Sequence, residues 1–461
     1  MVGQRIRDPL HDLIIFDNSQ LERVLWKVVQ TRPFQRLRRV KQLAFSELVY
    51  PGATHSRFAH SIGVFHTAKR LLEVIRRHQN DRQYEANAAQ HALAAALVHD
   101  LGHGPFSHAF ETVGKKLGLK MMANHELVSD ALIRSSEVGE ALKELGSGVP
   151  NDVANIIKGV GKRDIYSAVV SSQFDADRLD YMRRDRLMTG TQHAAIDFEW
   201  LLTNLEVGTV RYGVDKESLG EIDTFVLGQK AFYAAEAFVL GLFQLYPTVY
   251  FHKATRGAEK LFAEIFAKAV KLVLDGSAAK TGLPNGHPIV KFAKDPSNLD
   301  RFLDLDDAVV LGSLSLMCES SDTLLSECSR RLRDRKLYKC IDVRVKLAAG
   351  GGDSVQQQAE VDRACEVVEG KLLEWAGATD GSPRILIDRA SRSTYNRLSE
   401  SKGPLEQINI RAPGGALVDL ESVSKVVAAS GTFRLFRVYY KQEDAQAKEQ
   451  IEKIVEGEKQ R

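Results

Sequence analysis

The chain contains few cysteines and lacks an N-terminal secretion signal. Its 461 residues include four cysteines, at positions 318, 328, 340 and 365, and no two of them form a Cys-x-x-Cys pair. This spacing argues against a zinc ribbon and favours free thiols. The N-terminal residues also lack the apolar core of a secretion signal. We therefore expect a cytoplasmic protein.

The chain also lacks a clean membrane-spanning segment and a strong charge of one sign. Residues 231–251 are long enough to span a bilayer, but Gln244, Pro247 and several tyrosines interrupt them, and basic residues flank them closely. We therefore expect no membrane partner. The 63 basic and 60 acidic residues give a net charge of +3, which neither demands nor excludes nucleic acid.

A short basic run, Arg36, Arg38, Arg39 and Lys41, has three interpretations. It can bind the phosphates of a nucleotide effector, bind nucleic acid, or form a solvated helix face with a subunit contact. Exposed aromatic residues do not alternate with these charges, so specific nucleic-acid recognition is the weakest of the three. We favour the solvated face.

Residues 99–111 carry the strongest chemical signal. Adjacent His99 and Asp100 follow an alanine-rich helical run, and buried ionisable neighbours need partners. A metal ion is the simplest partner for both, and this donor pair suits several divalent ions. His103 lies one helical turn after His99 if the helix extends that far. The glycines and the proline that follow allow backbone to approach a ligand closely. The segment is typical of a metal-assisted hydrolase.

Further candidate ligands lie in distant segments. His60 lies upstream in residues 55–61, and Asp177 lies downstream in residues 175–185. This order of His, His-Asp and Asp resembles the HD superfamily of phosphohydrolases. More narrowly, the chain resembles the dNTP triphosphohydrolase branch, which has human and bacterial members. The similarity includes residues 6–11, 33–43, 51–63 and 175–185, and more weakly 250–253, in about the first 260 residues.

The resemblance implies a mainly α fold, with a helical HD-domain core and a C-terminal α+β region. We place the core at residues 1–275 and the C-terminal region at 276–461, where it packs on the core or mediates contacts in a homo-oligomer. Apolar periodicity predicts helices and alternation predicts strands. The predicted helices are 21–29, 62–77, 91–98, 125–133, 153–160, 198–205 and 355–375, and the predicted strands are 206–214, 384–388 and 433–440.

The resemblance also implies a metal site and a catalytic group. The divalent metal (Mn, Fe, Zn, Co, Ni or Mg) would be held by His60, His99, Asp100 and Asp177. Catalytic roles fall to His103, His108, His125 and Glu111. Of these, His103 and His108 would face the phosphates, while His125 and Glu111 would protonate the leaving group.

Substrate contacts follow from the same resemblance. Arg57 and Arg178 would bind the phosphates. The remaining substrate-binding residues would surround the sugar and the base; they are Gln42, Leu43, Tyr181, Asp185, Tyr250, His252 and Lys253. Gln42 and Asp185 would bond the sugar 3′-hydroxyl.

The implied activity is metal-dependent hydrolysis of deoxynucleoside triphosphates to deoxynucleoside and inorganic triphosphate. Two positions depart from the family: Leu242 stands where a distal-phosphate arginine is familiar, and Gln30 stands where some members use an acidic residue to read a regulatory guanine. An HD-type phosphodiesterase or nuclease, or a hydrolase of another nucleotide, therefore stays open. A nucleotide-sensing regulator without turnover is a further alternative, and a nucleotide effector stays open as a partner.

Overall fold

The computed structural model describes residues 3–79, 83–161, 163–214, 217–348, 355–377, 382–395, 405 and 407–459. The chain packs into two compact units. The first comprises Met1–Leu43, Tyr50–Tyr250 and Ser393–Gly431, and the second comprises Ala44–Val49, Phe251–Arg392 and Thr432–Arg461. These packing units do not follow the predicted division at residue 275. Packing of residues 276–461 on the core, or their contacts in a homo-oligomer, stays a prediction.

Helices dominate the described part of the chain, which confirms the predicted mainly α class. Those of the first unit up to Tyr250 are α1 (Gln20–Gln30), α2 (Arg32–Arg36), α3 (Arg57–His78), α4 (Ala86–Val98), α5 (His108–Lys116), α6 (His125–Ser135), α7 (Glu137–Leu142), α8 (Val149–Lys158), α9 (Ile165–Ala168), α10 (Ala176–Thr189), α11 (Phe198–Thr203) and α12 (Phe232–Leu245). The helices that follow are α13 (Lys253–Leu274), α14 (Pro288–Lys294), α15 (Leu299–Leu303), α16 (Asp307–Met317), α17 (Thr323–Arg333), α18 (Val343–Ala348), α19 (Val355–Ala376), α20 (Leu420–Val423), α21 (Lys425–Ala429) and α22 (Ala445–Lys459).

The strands form small sheets within each unit. They are β1 (Gln4–Asp8), β2 (Asp12–Phe16), β3 (Leu205–Val214), β4 (Glu217–Leu227), β5 (Lys339–Asp342), β6 (Ile385–Arg392), β7 (Asn409–Arg411), β8 (Leu417–Asp419) and β9 (Phe433–Tyr440). In the first unit, β1 and β2 form an antiparallel hairpin, and a second sheet has the order β3-β4-β7-β8. In the second unit the order is β5-β9-β6. The predicted strands at 206–214, 384–388 and 433–440 correspond to β3, β6 and β9.

Capped helices around a buried alanine-rich helix build the core of the first unit. Helix α4 is buried from Ala92 to Val98, because small side chains let its neighbours pack closely on several sides. Helix α3 begins after Ser56, whose side chain accepts from Ala59 N, and packs against both α4 and α10. The first turns of α3 and α10 are thereby fixed next to the end of α4.

The second unit has its own apolar core under the three-stranded sheet. Buried residues from β5, β6, β9, α18, α19 and α22 form one cluster, which includes Val343, Leu372, Val438 and Ile451. The predicted helix at 355–375 corresponds to α19. This mixture of helices and a sheet confirms the predicted C-terminal α+β character.

The apolar segment 231–251 does not form one continuous α-helix. Helix α12 ends at Leu245, and a π-helical turn follows from Tyr246 to Tyr250. Among the described residues, no helix is both long enough and apolar enough to cross a membrane.

Candidate metal centre and active site

Three of the four predicted metal ligands converge in the first unit. Ligand atoms of His60 from α3, His99 after α4, and Asp177 from α10 all lie within 4.8 Å of one another. His60 Nε2 lies 2.9 Å from Asp177 Oδ1, and His99 Nε2 lies 3.7 Å from the same oxygen. Segments that are far apart in sequence thus bring two imidazoles and a carboxylate together.

Asp100 lies beside this cluster. Its Oδ1 is 3.4 Å from His99 Nε2 and its Oδ2 is 3.8 Å from His60 Nε2. Oδ2 also accepts a hydrogen bond from Arg57 Nη1. Burial alone raises the pKa of Asp100, but the charge of Arg57 and the nearby histidines outweigh it and hold the pKa well below its ordinary value. The Asp100 carboxylate is therefore ionised at neutral pH.

The chemistry of these residues fits a divalent cation. His99 Nε2 is buried and has no hydrogen-bond partner. Its lone pair points toward the carboxylates, which costs free energy unless a ligand binds to it. The imidazoles of His60 and His99 form a mixed nitrogen and oxygen donor set with Asp177, and Asp100 lies beside it. Such a set accepts several first-row ions and does not select one of them.

The turn after α4 places His103, because the helix does not extend far enough for the predicted helical spacing to apply. Helix α4 ends at Val98, and residues 99–102 form turns. Gly102 allows this turn to lie against α6: a Cβ there would be 2.1 Å from the His125 carbonyl oxygen. Gly102 N donates to Ser129 Oγ (2.9 Å), whose hydroxyl donates to the His99 carbonyl (3.0 Å). Contact with α6, and not helix periodicity, therefore fixes His103.

The predicted catalytic residues form a second cluster. Ligand atoms of His103, His108, Glu111 and His125 lie within 4.8 Å of one another. The His103 and His125 rings stack with centroids 3.8 Å apart, and Glu111 contacts His125 Nδ1. Burial raises the pKa of Glu111, but hydrogen bonds from His108 and His125 outweigh it and lower the pKa. The ionised Glu111 orients His125, with the carboxylate on one ring nitrogen and the other nitrogen left for a reacting group.

Arg57 is held rigidly between these clusters. Besides Asp100, its guanidinium donates from Nε to Ser107 Oγ (2.8 Å), and the Ser107 hydroxyl donates to the Lys41 carbonyl (2.9 Å). Ser107 has φ +58°, and Phe106 has φ +56°. Residues other than glycine adopt positive φ at a cost of about 1 kcal/mol or more. The surrounding packing must therefore stabilise this turn.

Two of the predicted sugar-binding residues are joined by a hydrogen bond, and we call the predicted set in the first unit the candidate sugar pocket. Tyr250 Oη donates to Asp185 Oδ2 (2.9 Å), and His55 Nε2 lies 2.8 Å from Asp185 Oδ1. Gln42 Oε1 is a buried acceptor with no hydrogen-bond partner. Leu43 is buried, and Tyr181 lies edge-on to Tyr250 with centroids 6.2 Å apart. These residues combine apolar side chains with an acceptor that a ligand hydroxyl can satisfy.

Arg178 follows Asp177 in the first turn of α10. Its guanidinium donates to the Ser172 carbonyl, and its side chain keeps about a quarter of its surface open (28%). The charge of Asp175 raises the pKa of Arg178 even though burial lowers it. Arg178 is therefore a fixed cation near the metal cluster.

Comparison with known proteins agrees with this geometry. The HD domain family model matches residues 57–183, which run from Arg57 past Asp177. The uncharacterized protein YwfO of Bacillus subtilis is 30% identical over 336 residues, which cover 73% of this chain and 71% of YwfO. This chain belongs to the HD-domain phosphohydrolase family.

The family extends to enzymes with a named activity and to solved structures. The mouse deoxynucleoside triphosphate triphosphohydrolase SAMHD1 is 25% identical over 485 residues, which cover 95% of this chain and 69% of SAMHD1. A phosphohydrolase structure from Bacteroides thetaiotaomicron superposes with a TM-score of 0.71 at 24% identity, over 95% of this chain and 100% of that one. The latter shows a shared fold.

Two predicted substrate residues of this HD-domain protein belong to the second unit. The His252 side chain accepts from Ala254 N at the start of α13, and the Lys253 carbonyl accepts from Tyr439 Oη (2.9 Å). Their proposed role at the base and distal phosphate stays a prediction. In the first unit, Arg38 of the basic run donates from Nε to Gln35 Oε1 (2.9 Å).

Three residues with contacts to the site were not predicted from the sequence. Ser107 accepts a hydrogen bond from Arg57, and His55 is hydrogen-bonded to Asp185. Asp180 is hydrogen-bonded to the second ring nitrogen of His60. His55 and Asp180 were present within the matched segments, but their partners are 130 and 120 residues away. Helix spacing gives one usable signal: Asp180 follows Asp177 by three residues, on the same side of α10.

Proposed function

We propose that this protein hydrolyses deoxynucleoside triphosphates, releasing the deoxynucleoside and inorganic triphosphate. One observation carries the proposal: Asp177, Tyr181 and Asp185 recur every four residues along one face of α10. At about 1.5 Å per residue they cover about 12 Å, from the candidate metal cluster to the candidate sugar pocket. This order suits a ligand with phosphate at one end and a sugar at the other.

The electrostatics support a phosphate at the metal end. Helices α3, α5, α6 and α10 all begin at or next to candidate site residues, and helix N-termini favour anions. Arg57 and Arg178 add two fixed guanidinium groups, which suit phosphate oxygens geometrically. Many cationic groups of this kind are expected where a polyanionic ligand binds.

At the other end, the pocket supports a sugar hydroxyl. The unpartnered Gln42 Oε1 needs a donor, and a hydroxyl provides one. Asp185 is already bonded to His55 and Tyr250, so its orientation is fixed before any ligand binds. Buried Leu43 and half-buried Tyr181 supply apolar surface here, which supports discrimination against an additional 2′-hydroxyl.

In this proposal the oxygen of a water molecule bonds to the α-phosphorus, and the bond between the α-phosphorus and the sugar 5′-oxygen breaks. A bound divalent cation supplies Lewis acidity and lowers the pKa of water toward neutrality. Arg57 and Arg178 hold the phosphates, and Asp100 is kept ionised by Arg57. His125, oriented by Glu111, delivers a proton to the departing 5′-oxygen.

A second candidate is hydrolysis of another nucleotide or of a phosphodiester. It is favoured by Leu242, which is only 4% exposed on α12 where the family has a distal-phosphate arginine. A nucleotide effector, a cytoplasmic location and a homo-oligomer stay predictions. Nucleic acid as a partner has the least support.

Product analysis tests the proposal. Purified protein is incubated with each dNTP, and with all four together, in the presence of Mn, Mg, Fe(II) or Co, and products are separated by ion-pair chromatography. We expect deoxynucleoside and intact triphosphate from the wild type and from Asp152→Asn, a half-exposed carboxylate on α8. Asp177→Asn should abolish release. Release of pyrophosphate, or cleavage of a phosphodiester alone, would favour the second candidate.

A further inference from the structure

Asp180 lies behind the candidate metal ligand His60 and is completely buried. His60 Nδ1 is 2.8 Å from Asp180 Oδ2, while the opposite nitrogen, Nε2, is 2.9 Å from Asp177 Oδ1. The imidazole is therefore clamped between two carboxylates of the same helix. One of them faces the candidate metal position, and the other lies behind the ring.

Asp180 is itself held by donors on both oxygens. His11 Nε2 lies 2.7 Å from Oδ1, and Arg184 approaches both oxygens, from Nε to Oδ2 (2.8 Å) and from Nη2 to Oδ1 (3.0 Å). Arg184 also donates a hydrogen bond to Asp8, with Nη1 2.8 Å from Asp8 Oδ2. These contacts leave the Asp180 carboxylate no freedom to rotate away from His60.

Asp180 fixes a proton on the Nδ1 nitrogen of His60. A carboxylate with no proton of its own can only accept, so the His60 Nδ1–H bond points to Asp180. His60 Nε2 faces Asp177 Oδ1 at 2.9 Å, and a cation placed between them would take the Nε2 lone pair, as in other metal-binding histidines whose far nitrogen donates to a carboxylate. Asp8 and Asp180 carry two negative charges and Arg184 carries one positive charge, so one net negative charge lies behind the ring. This charge favours a cation in front of the ring.

We propose that Asp180 is the positioning residue of the metal centre, and that His11 of the β1–β2 hairpin locks it in place. The inference rests on the proposed function for the metal site and names no substrate. His11 lies between β1 and β2, and it is 169 positions before Asp180 in the sequence. The N-terminal hairpin is thereby part of the metal centre, although it contributes no ligand.

Metal affinity, measured without substrate, tests the inference. Co(II) is titrated into the metal-free protein in competition with a chromophoric chelator, and the visible spectrum of bound Co(II) is recorded. We expect Asp180→Asn to weaken Co(II) binding by about 10- to 100-fold and to change the spectrum. His11→Ala should weaken binding less, and His11→Gln, which keeps a side-chain N–H donor, should restore it.

The matched control is Glu22→Gln. Glu22 is also a buried carboxylate with a bond to α3, through Lys69 Nζ at 2.6 Å, but it contacts no histidine in the described contacts. Its Co(II) affinity should equal that of the wild type. If Asp180→Asn fails to fold, as judged by circular dichroism, the Co(II) affinities of the His11 variants test the positioning role instead.

The outcomes separate the two proposals. Wild-type affinity and spectrum in both Asp180→Asn and His11→Ala would overturn the positioning role. No Co(II) binding by the wild type would overturn both the metal site and the positioning role. Weakened binding in the variants, together with a wild type that releases no triphosphate from any dNTP, would sustain the inference and reject the proposed substrate.

Discussion

Replacing Gly63 by alanine should destabilise the first unit strongly. Gly63 lies on α3 where that helix is closest to α10: an added Cβ would be 2.0 Å from Asp180 Oδ1 and 2.3 Å from Arg184 Nη2. Both side chains are fully buried and paired with each other, so neither can move into solvent. The methyl group must therefore separate the helices or break the ion pair.

The two costs can be compared with the expected gain. Overpacking a core costs about 1–3 kcal/mol, and breaking a buried ion pair costs about 3–5 kcal/mol. Alanine is favoured over glycine inside a helix by about 1 kcal/mol. Because the added Cβ would overlap both charged groups, we expect the cost of the broken ion pair to dominate, and about 3–5 kcal/mol less about 1 kcal/mol leaves a net loss in free energy of unfolding of about 2–4 kcal/mol.

Urea unfolding followed by circular dichroism measures this loss as a lower midpoint. The control is Gly312→Ala in α16, where an added Cβ meets no atom within 4 Å, so its midpoint should stay the same or rise. A Gly63→Ala midpoint equal to that of Gly312→Ala would refute the reasoning, because it would mean that the ion pair does not fill this space.

Two further predictions concern pH and catalysis. Burial and the charges of His11 and Arg70 lower the pKa of partly buried His66 to about 4 from 6.5, so His66 stays neutral in the folded state while the unfolded chain gains a proton. The contribution of neutral His66 to the free energy of unfolding is complete above pH 6.5 and is lost as the pH falls toward 4. After allowance for solvent screening, the free energy of unfolding should be lower by about 1 kcal/mol at pH 5.5. Thermal melts of His66→Gln should lose this dependence, and a wild-type slope in this variant would contradict it. Glu111→Gln should lower kcat about 100-fold or more with little change in KM, because His125 loses its orienting carboxylate. Steady-state assays beside Glu126→Gln, an exposed neighbour of His125, check this, and an unchanged kcat in Glu111→Gln would reject the proton-donor role.

The sequence alone determined the main elements and the chemical type of the site. Apolar periodicity and capping residues are local properties, so helices such as α1 and α19 and strands such as β9 were predictable. The order of His60, His99, Asp100 and Asp177 identified the family, because chemistry restricts which residue types can occupy a metal site.

Tertiary structure decided how those residues act. The break after Val98, imposed by packing of Gly102 on α6, set the position of His103 where helix periodicity predicted another. Contacts across more than 100 residues gave Asp180 its role behind His60, and parallel pairing of β7 with β4 returned residues 393–431 to the first unit. Local sequence patterns encode conformational preference, whereas these contacts depend on which distant surfaces fit together when the whole unit packs.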